Sequence, residues 1–160
     1  MSEFNNKIEI DKIYAQLSPR ANKLYNFINC YEEYMNQPRD YDGSGEYMSM
    51  VEIHILTLIA DQPGITVSQL AKDWGTTKGA ISQTIKKLEN KELIYRQKKE
   101  GNAKTIHIHA TEKGERLSTA HKLYDNADIV QTQYDLLKTC TSDELNTFYK
   151  VVQEYYKLFD

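Results

Sequence analysis

The polar side chains between Thr66 and Ala110 are spaced for gripping a charged groove rather than for catalysis. From Lys78 to Leu88, the residues Ala80, Ile81, Thr84, Ile85 and Leu88 recur at helical spacing. That leaves Lys78, Ser82, Gln83, Lys86 and Lys87 on the opposite face. A lysine offers a phosphate a point charge, and glutamine can pair in bidentate fashion with an adenine edge. Thr76, Thr77 and Ser82 bring hydroxyls to the same end. The major groove of B-DNA admits one helix, so this face is a candidate reading head. A second polar group, Lys98, Lys99, Asn102 and Lys104, surrounds Gly101, whose backbone freedom permits a tight reversal. Its lysines can lie along phosphates or enter a minor groove.

Other constellations carry less chemistry. His107 and His109 lie two apart in a strand pattern and share one side of it. A metal centre would need further ligands from His54, His121, Cys30 or a carboxylate, and no spacing brings these together. We therefore expect exposed strand histidines that face phosphate or water, and neither metal nor cofactor. Cys30, beside Tyr31 and Tyr34 and without an adjacent Lys or Arg, reads as a buried packing residue. Two cysteines make no disulfide framework. The chain has no nucleophile elbow, phosphate-binding glycine loop, paired carboxylate signature or zinc-ligand motif, so an enzyme is not expected.

The elements that must hold these side chains are legible from caps and periodicity. Thr66 and Gln69 form a capping box that opens a helix at Val67, with Leu70, Ala71 and Trp74 on one side and Gly75 as its stop. Leu93 to Gln97 and Thr105 to Ala110 have strand character and flank the charged reversal. Helix, turn, helix and two strands make a winged helix-turn-helix, assigned to residues 47–111. Its supporting helix, Met50 to Ala60, opens at the Ser49–Glu52 capping box and is apolar nearly all round, hence core.

Residues 1–46 and 112–160 read as a helical dimerisation region. After a partly amphipathic lead-in (Phe4, Ile8, Ile10, Ile13), Ser18 and Pro19 suit an N-cap and first helical position, opening a helix to about Asn36. Along it Leu17, Leu24 and Ile28 belong to an apolar seam. Residues 37–46 read as a loop. Thr111 caps a long helix from Glu112 to about Thr139 that carries Tyr124, and Thr141 with Glu144 opens a last one. There Leu145, Phe148, Val152, Tyr155 and Phe159 fall at steps of three and four. Ten of the twelve tyrosines lie outside residues 47–111, as expected of an interface that buries rings and keeps hydroxyls wet. Seams at both chain ends imply a two-fold homodimer, and a two-fold reader implies palindromic DNA.

The run Leu70, Ala71, Gly75, Thr76, Thr77, Lys78, with Ile81, Leu88, Glu89, Lys91, Leu93, Ile94 and Arg96, resembles the recognition unit of the multiple-antibiotic-resistance regulator (MarR) family. Thr111, Glu112, Lys113 and Gly114 resemble the stretch that opens its long fifth helix. The sequence departs from the family at Trp74, usually aliphatic, and at Glu92, usually glycine. It departs again at Asn102 and Lys104, where the wing commonly carries Asp and Arg. The resemblance implies a mainly α fold with a small β wing and a dimeric DNA-binding repressor of double-stranded DNA. It further implies release by a small-molecule effector, aromatic in some relatives.

Charge distribution agrees with that reading. The net charge is −3, yet Lys72 to Lys104 holds nine Lys or Arg against four Asp or Glu, and the remainder 11 against 19. A basic reader on an acidic body orients itself on DNA and discourages unspecific coating. No run approaches a membrane span, and the start lacks a leader pattern, so a cytoplasmic protein is expected. The rival reading is a winged-helix module that binds a protein partner without sequence-specific DNA contacts.

Overall fold

The computed structural model describes the backbone of residues 7–99 and 102–159 and the side chains of residues 7–98 and 105–159. In chain order the elements are α1 (Lys7–Asn36), β1 (Arg39–Asp40), β2 (Tyr47–Met48), α2 (Met50–Asp61), α3 (Val67–Asp73), α4 (Lys78–Asn90), β3 (Ile94–Lys99), β4 (Asn102–Ala110), α5 (Glu112–Leu136) and α6 (Ser142–Tyr156). The fold is mainly helical with a small antiparallel wing.

The core forms where apolar faces converge on α2. Ile53, Ile55, Leu56 and Ile59 of that helix are shielded from solvent, and Leu70, Ile81, Ile85, Leu88, Leu93, Ile108 and Leu117 close around them. All three capping boxes form with both reciprocal hydrogen bonds, at Ser49 and Glu52, Thr66 and Gln69, and Thr141 and Glu144. Thr77 and Thr111 cap α4 and α5. Each such cap contributes about 1 kcal/mol by satisfying amide groups that the first turn leaves without partners.

Two tight helix ends fix the relative directions of α3, α4 and the wing. After α3, Thr76 N donates to Ala71 O at 2.9 Å and Gly75 N to Lys72 O at 3.2 Å. After α4, Leu93 N donates to Leu88 O at 3.0 Å and Glu92 N to Glu89 O at 3.0 Å. Both are Schellman motifs, with Gly75 (φ 64°) and Glu92 (φ 58°) at the left-handed position. The wing strands pair from Ile94 with Ala110 to Lys98 with Ile106, with an irregularity between Lys98 and Lys99. Ile65 bridges to Ile108 and ties the α2–α3 connection to β4.

The observed elements differ from expectation at four places. α1 does not open at Ser18 but runs from Lys7 through Pro19. Residues 7–17 contain no Gly or Pro and include good helix formers, so helix continues on both sides and tolerates one missing amide. Residues 39–48, read within and beside a loop, form a short ribbon pairing Arg39 with Met48 and Asp40 with Tyr47. The wing strands extend to Lys99 and from Asn102, while Leu93 belongs to the turn that closes α4. Ala80, placed on the core face of α4, is exposed.

α5 begins as core and ends as surface. Gly114, Leu117, Ser118 and His121 are its buried residues, and none follows in the last four turns. α1 and α6 have no buried residue at all. Within the chain they meet through Phe27 and Phe148, edge to face at 6.5 Å, while Tyr34 of α1 donates to Asp128 of α5 at 3.2 Å. Among the described residues no helix is long and apolar enough to cross a membrane.

Candidate nucleic-acid interface

Ile81, Ile85 and Leu88 anchor α4 in the core, so its opposite face is held outward by packing. Thr76, Thr77, Lys78, Ser82, Gln83, Lys86 and Lys87 are all exposed. Three of them already do other work. The Thr77 hydroxyl accepts from Ala80 N at 3.2 Å as the cap of α4, and Ser82 Oγ donates to Lys78 O at 2.7 Å. Lys87 Nζ donates to Glu52 Oε1 at 3.0 Å, which joins α4 to α2 and sets a carboxylate against any phosphate in competition for this charge. The side chains of Thr76, Lys78, Gln83 and Lys86 have no hydrogen bond or ion pair with the described residues. They form the free part of the face.

The wing is braced at its base. Arg96 Nε donates to Glu89 Oε2 at 3.1 Å, fastening β3 to α4. Lys98 is exposed, whereas the side chains of Lys99, Asn102 and Lys104, and Gly101 altogether, lie outside the described residues, as does Phe4. His107 and His109 are not the exposed pair expected from the sequence. His107 Nδ1 lies 2.7 Å from Gly64 O, and the His109 ring stacks on Tyr95 at 5.3 Å, so both are half-buried braces between β4 and its neighbours.

Residues 48–106 match the sequence model of the MarR family. The chain is similar to that family over this central segment, which holds the helix-turn-helix and most of the wing. It is 27% identical over 125 residues to the uncharacterized HTH-type transcriptional regulator YhjH of Bacillus subtilis, covering 78% of this chain and 71% of that one. Its fold is similar to that of FabT from Streptococcus pneumoniae, solved in complex with DNA (TM-score 0.63, 22% identity, 91% of this chain and 96% of that one). It is also similar to the regulator SlyA (TM-score 0.66, 19% identity, 87% and 92%). ZitR of Lactococcus lactis in complex with DNA gives a TM-score of 0.66 at 19% identity, covering 90% and 98%.

The seam residues at the two ends of the chain face solvent. Leu17, Leu24, Ile28, Tyr124, Phe148, Val152, Tyr155 and Phe159 are exposed, Leu145 is half-buried, and Phe159 reaches 82% exposure. Cys30 is exposed as well, not buried as its spacing suggested, because α1 lies on the surface and buries none of its residues.

A group missed by the sequence reading lies where α2 meets α5. His54 and His121 both approach the Asp125 carboxylate, and Tyr41 sets its ring against His121 edge to face at 5.1 Å. Burial holds the His121 pKa below its ordinary value, against the pull of Asp125 in the other direction. On the same side, burial pushes Tyr34 up to about 12, helped by the neighbouring Asp128. The i,i+4 spacing of His121 and Asp125 was the only local trace of this group. His54 is 67 residues away in sequence, and only the packing of α2 on α5 joins them.

Proposed function

We propose that this regulator is a cytoplasmic homodimeric repressor that reads a palindromic operator through α4 and is released by a small effector. One observation carries the reading: the solvent face of α4 presents Thr76, Lys78, Gln83 and Lys86 without partners, while its other face is locked into the core. Free donors on a rigid helix lose little entropy on meeting a groove, and the lysines replace condensed counterions on phosphates.

The two-fold assembly is supported by surface that a monomer would not leave bare. The chain exposes 12180 Å², where a compact monomer of 18.6 kDa exposes roughly 8,200 Å². The excess on one chain is more than the half-share that each partner gives to an obligate dimer interface, and the exposed rings and aliphatics of α1, the end of α5 and α6 account for much of it. The effector is supported by the tyrosine-rich corner between α1 and α5. There the rings of Tyr41 and Tyr124 meet edge to face at 5.2 Å and could stack on a small aromatic ring.

Selection of duplexes from a random pool, followed by salt titration of the best duplex and a scrambled one, tests the reading. The expected product is a palindrome bound by two chains, with half-sites about one helical turn apart. Its affinity should fall steeply with salt, and the scrambled duplex should bind at least a hundredfold more weakly. Equal affinity for both duplexes would overturn sequence-specific binding and favour a protein partner for this face. In a purified transcription reaction, repression predicts fewer transcripts from a promoter that overlaps the site.

A further inference from the structure

His54 on α2 and His121 and Asp125 on α5 form a cluster that DNA reading does not use. One oxygen, Asp125 Oδ2, lies 3.2 Å from His121 Nε2 and 3.6 Å from His54 Nε2. One ligating atom from each residue lies within 4.8 Å of the other two. Two ligands about 2.0 to 2.1 Å from a tetrahedral zinc ion are about 3.3 Å apart. Both carboxylate-to-imidazole separations are therefore close to coordination spans, and the two imidazoles reach theirs by a small rotation of the outer one. His121 is fixed, with 2% of its side chain exposed, whereas His54 and Asp125 keep 34% and 25% and leave one side open to solvent. Three protein ligands and an open position suit an exchangeable ion that completes its shell with water.

A second observation points to the same corner. The buried side-chain polar atoms without partners among the described residues are Asp40 Oδ1, Tyr41 Oη and His121 Nδ1. Tyr41 is in ring contact with His121 and Asp40 precedes it in the chain. Such atoms are rare in folded proteins, and their gathering here marks a place short of polar partners, which an ion and its bound water supply.

We propose that His54, His121 and Asp125 bind one divalent transition-metal cation of the zinc class, and that Trp74 carries its binding to the DNA-reading unit. Two imidazole nitrogens and one carboxylate suit zinc and its neighbours, whereas calcium and magnesium take oxygen shells. The transmission runs through one ring contact. The His54 ring lies 5.8 Å from that of Trp74, which caps α3 at its C-terminus and precedes the Gly75 turn into α4. Drawing His54 onto a cation held by α5 repositions the imidazole against which Trp74 rests. This second step depends on the proposed regulator function; the binding step does not.

Metal-free full-length protein titrated with zinc chloride, without DNA, tests the site by calorimetry and by fluorescence of Trp74, the single tryptophan. Cobalt(II) serves as a second probe through the visible absorption of a four-coordinate site. The expected result is one ion per chain, with affinity at least tenfold weaker in His54→Gln and in Asp125→Asn. Both positions are partly exposed, and circular dichroism of the metal-free variants should match wild type. No stoichiometric binding by wild type, or equal affinity in both variants, would leave only an ion-paired histidine cluster and overturn the site. On the selected duplex, saturating zinc should change wild-type DNA affinity by about fivefold or more and leave the variants unchanged. Zinc binding with unchanged DNA affinity overturns the coupling through Trp74. Absence of DNA binding with or without zinc overturns the repressor reading and leaves the ion titration to decide the site alone.

Discussion

Glu92 and Gly114 are fixed by backbone geometry at the foot of the wing. Glu92 holds φ at 58°, the left-handed position of the Schellman motif that lets Leu93 leave α4 for the wing. A non-glycine residue there costs roughly 1–2 kcal/mol, and the looser unfolded chain of a glycine variant takes back part of the gain. Glu92→Gly should therefore stabilise the protein by about 0.5–1 kcal/mol, raising the melting temperature by roughly 1–4 °C. Gly114 is the opposite case. A Cβ built on it lies 2.1 Å from Leu93 O, the same oxygen that accepts Thr111 N at 3.0 Å. Gly114→Ala must push α5 off the turn between α4 and β3 and should cost about 2 kcal/mol or more, lowering the melting temperature by roughly 4–8 °C. Calorimetry of both variants and wild type at one protein concentration checks the pair; equal melting temperatures would remove this account of the wing's foot. The departure at Glu92 was visible in the sequence, but its cost was not, since only φ distinguishes a tolerated side chain from a strained one.

At the scale of elements, α4 carries two kinds of contact that should fail differently. Gln83 can pair with one base edge, worth about 1–3 kcal/mol of discrimination, while Lys86 offers a point charge to phosphate. Gln83→Ala should relax preference at one symmetric pair of base positions and leave the salt slope nearly intact. Lys86→Ala should weaken all duplexes alike and reduce the slope of log affinity against log salt by about two per dimer. Identical behaviour of the two variants in salt titrations would mean that α4 does not lie in the groove. Helix starts were the most legible elements, because a cap and its third-residue partner are close in sequence; the boxes at Ser49, Thr66 and Thr141 form as read. The Pro19 start failed because the same residue type that suits a first turn is tolerated within α1. The exposed face of α4 was legible by periodicity, whereas the occupation of Thr77, Ser82 and Lys87 depends on hydrogen bonds that only coordinates reveal. The His54 cluster was hidden for a related reason, since its members come from two helices that touch only in the folded chain.

For the whole molecule, the division between a packed reader and bare terminal helices decides what a surface charge would do. Val152 is 46% exposed on α6, beside Phe148 and Tyr155, and none of the core residues around α2 comes from that helix. In a lone chain Val152→Asp would place a charge in water at little cost. In a two-fold dimer that buries α6, the same charge loses its solvent without gaining a partner, at a cost of several kcal/mol. Sedimentation should therefore show wild type as a dimer at micromolar concentration and Val152→Asp as a monomer, with the circular dichroism of the reader retained. Affinity for a single half-site should stay within about threefold of wild type, because α4 is untouched. Affinity for the full palindrome should fall by about a hundredfold or more, because the second reader no longer arrives tethered to the first. A monomeric wild type would refute the assembly outright. A dimeric Val152→Asp with full palindrome affinity would instead place the interface elsewhere than α6.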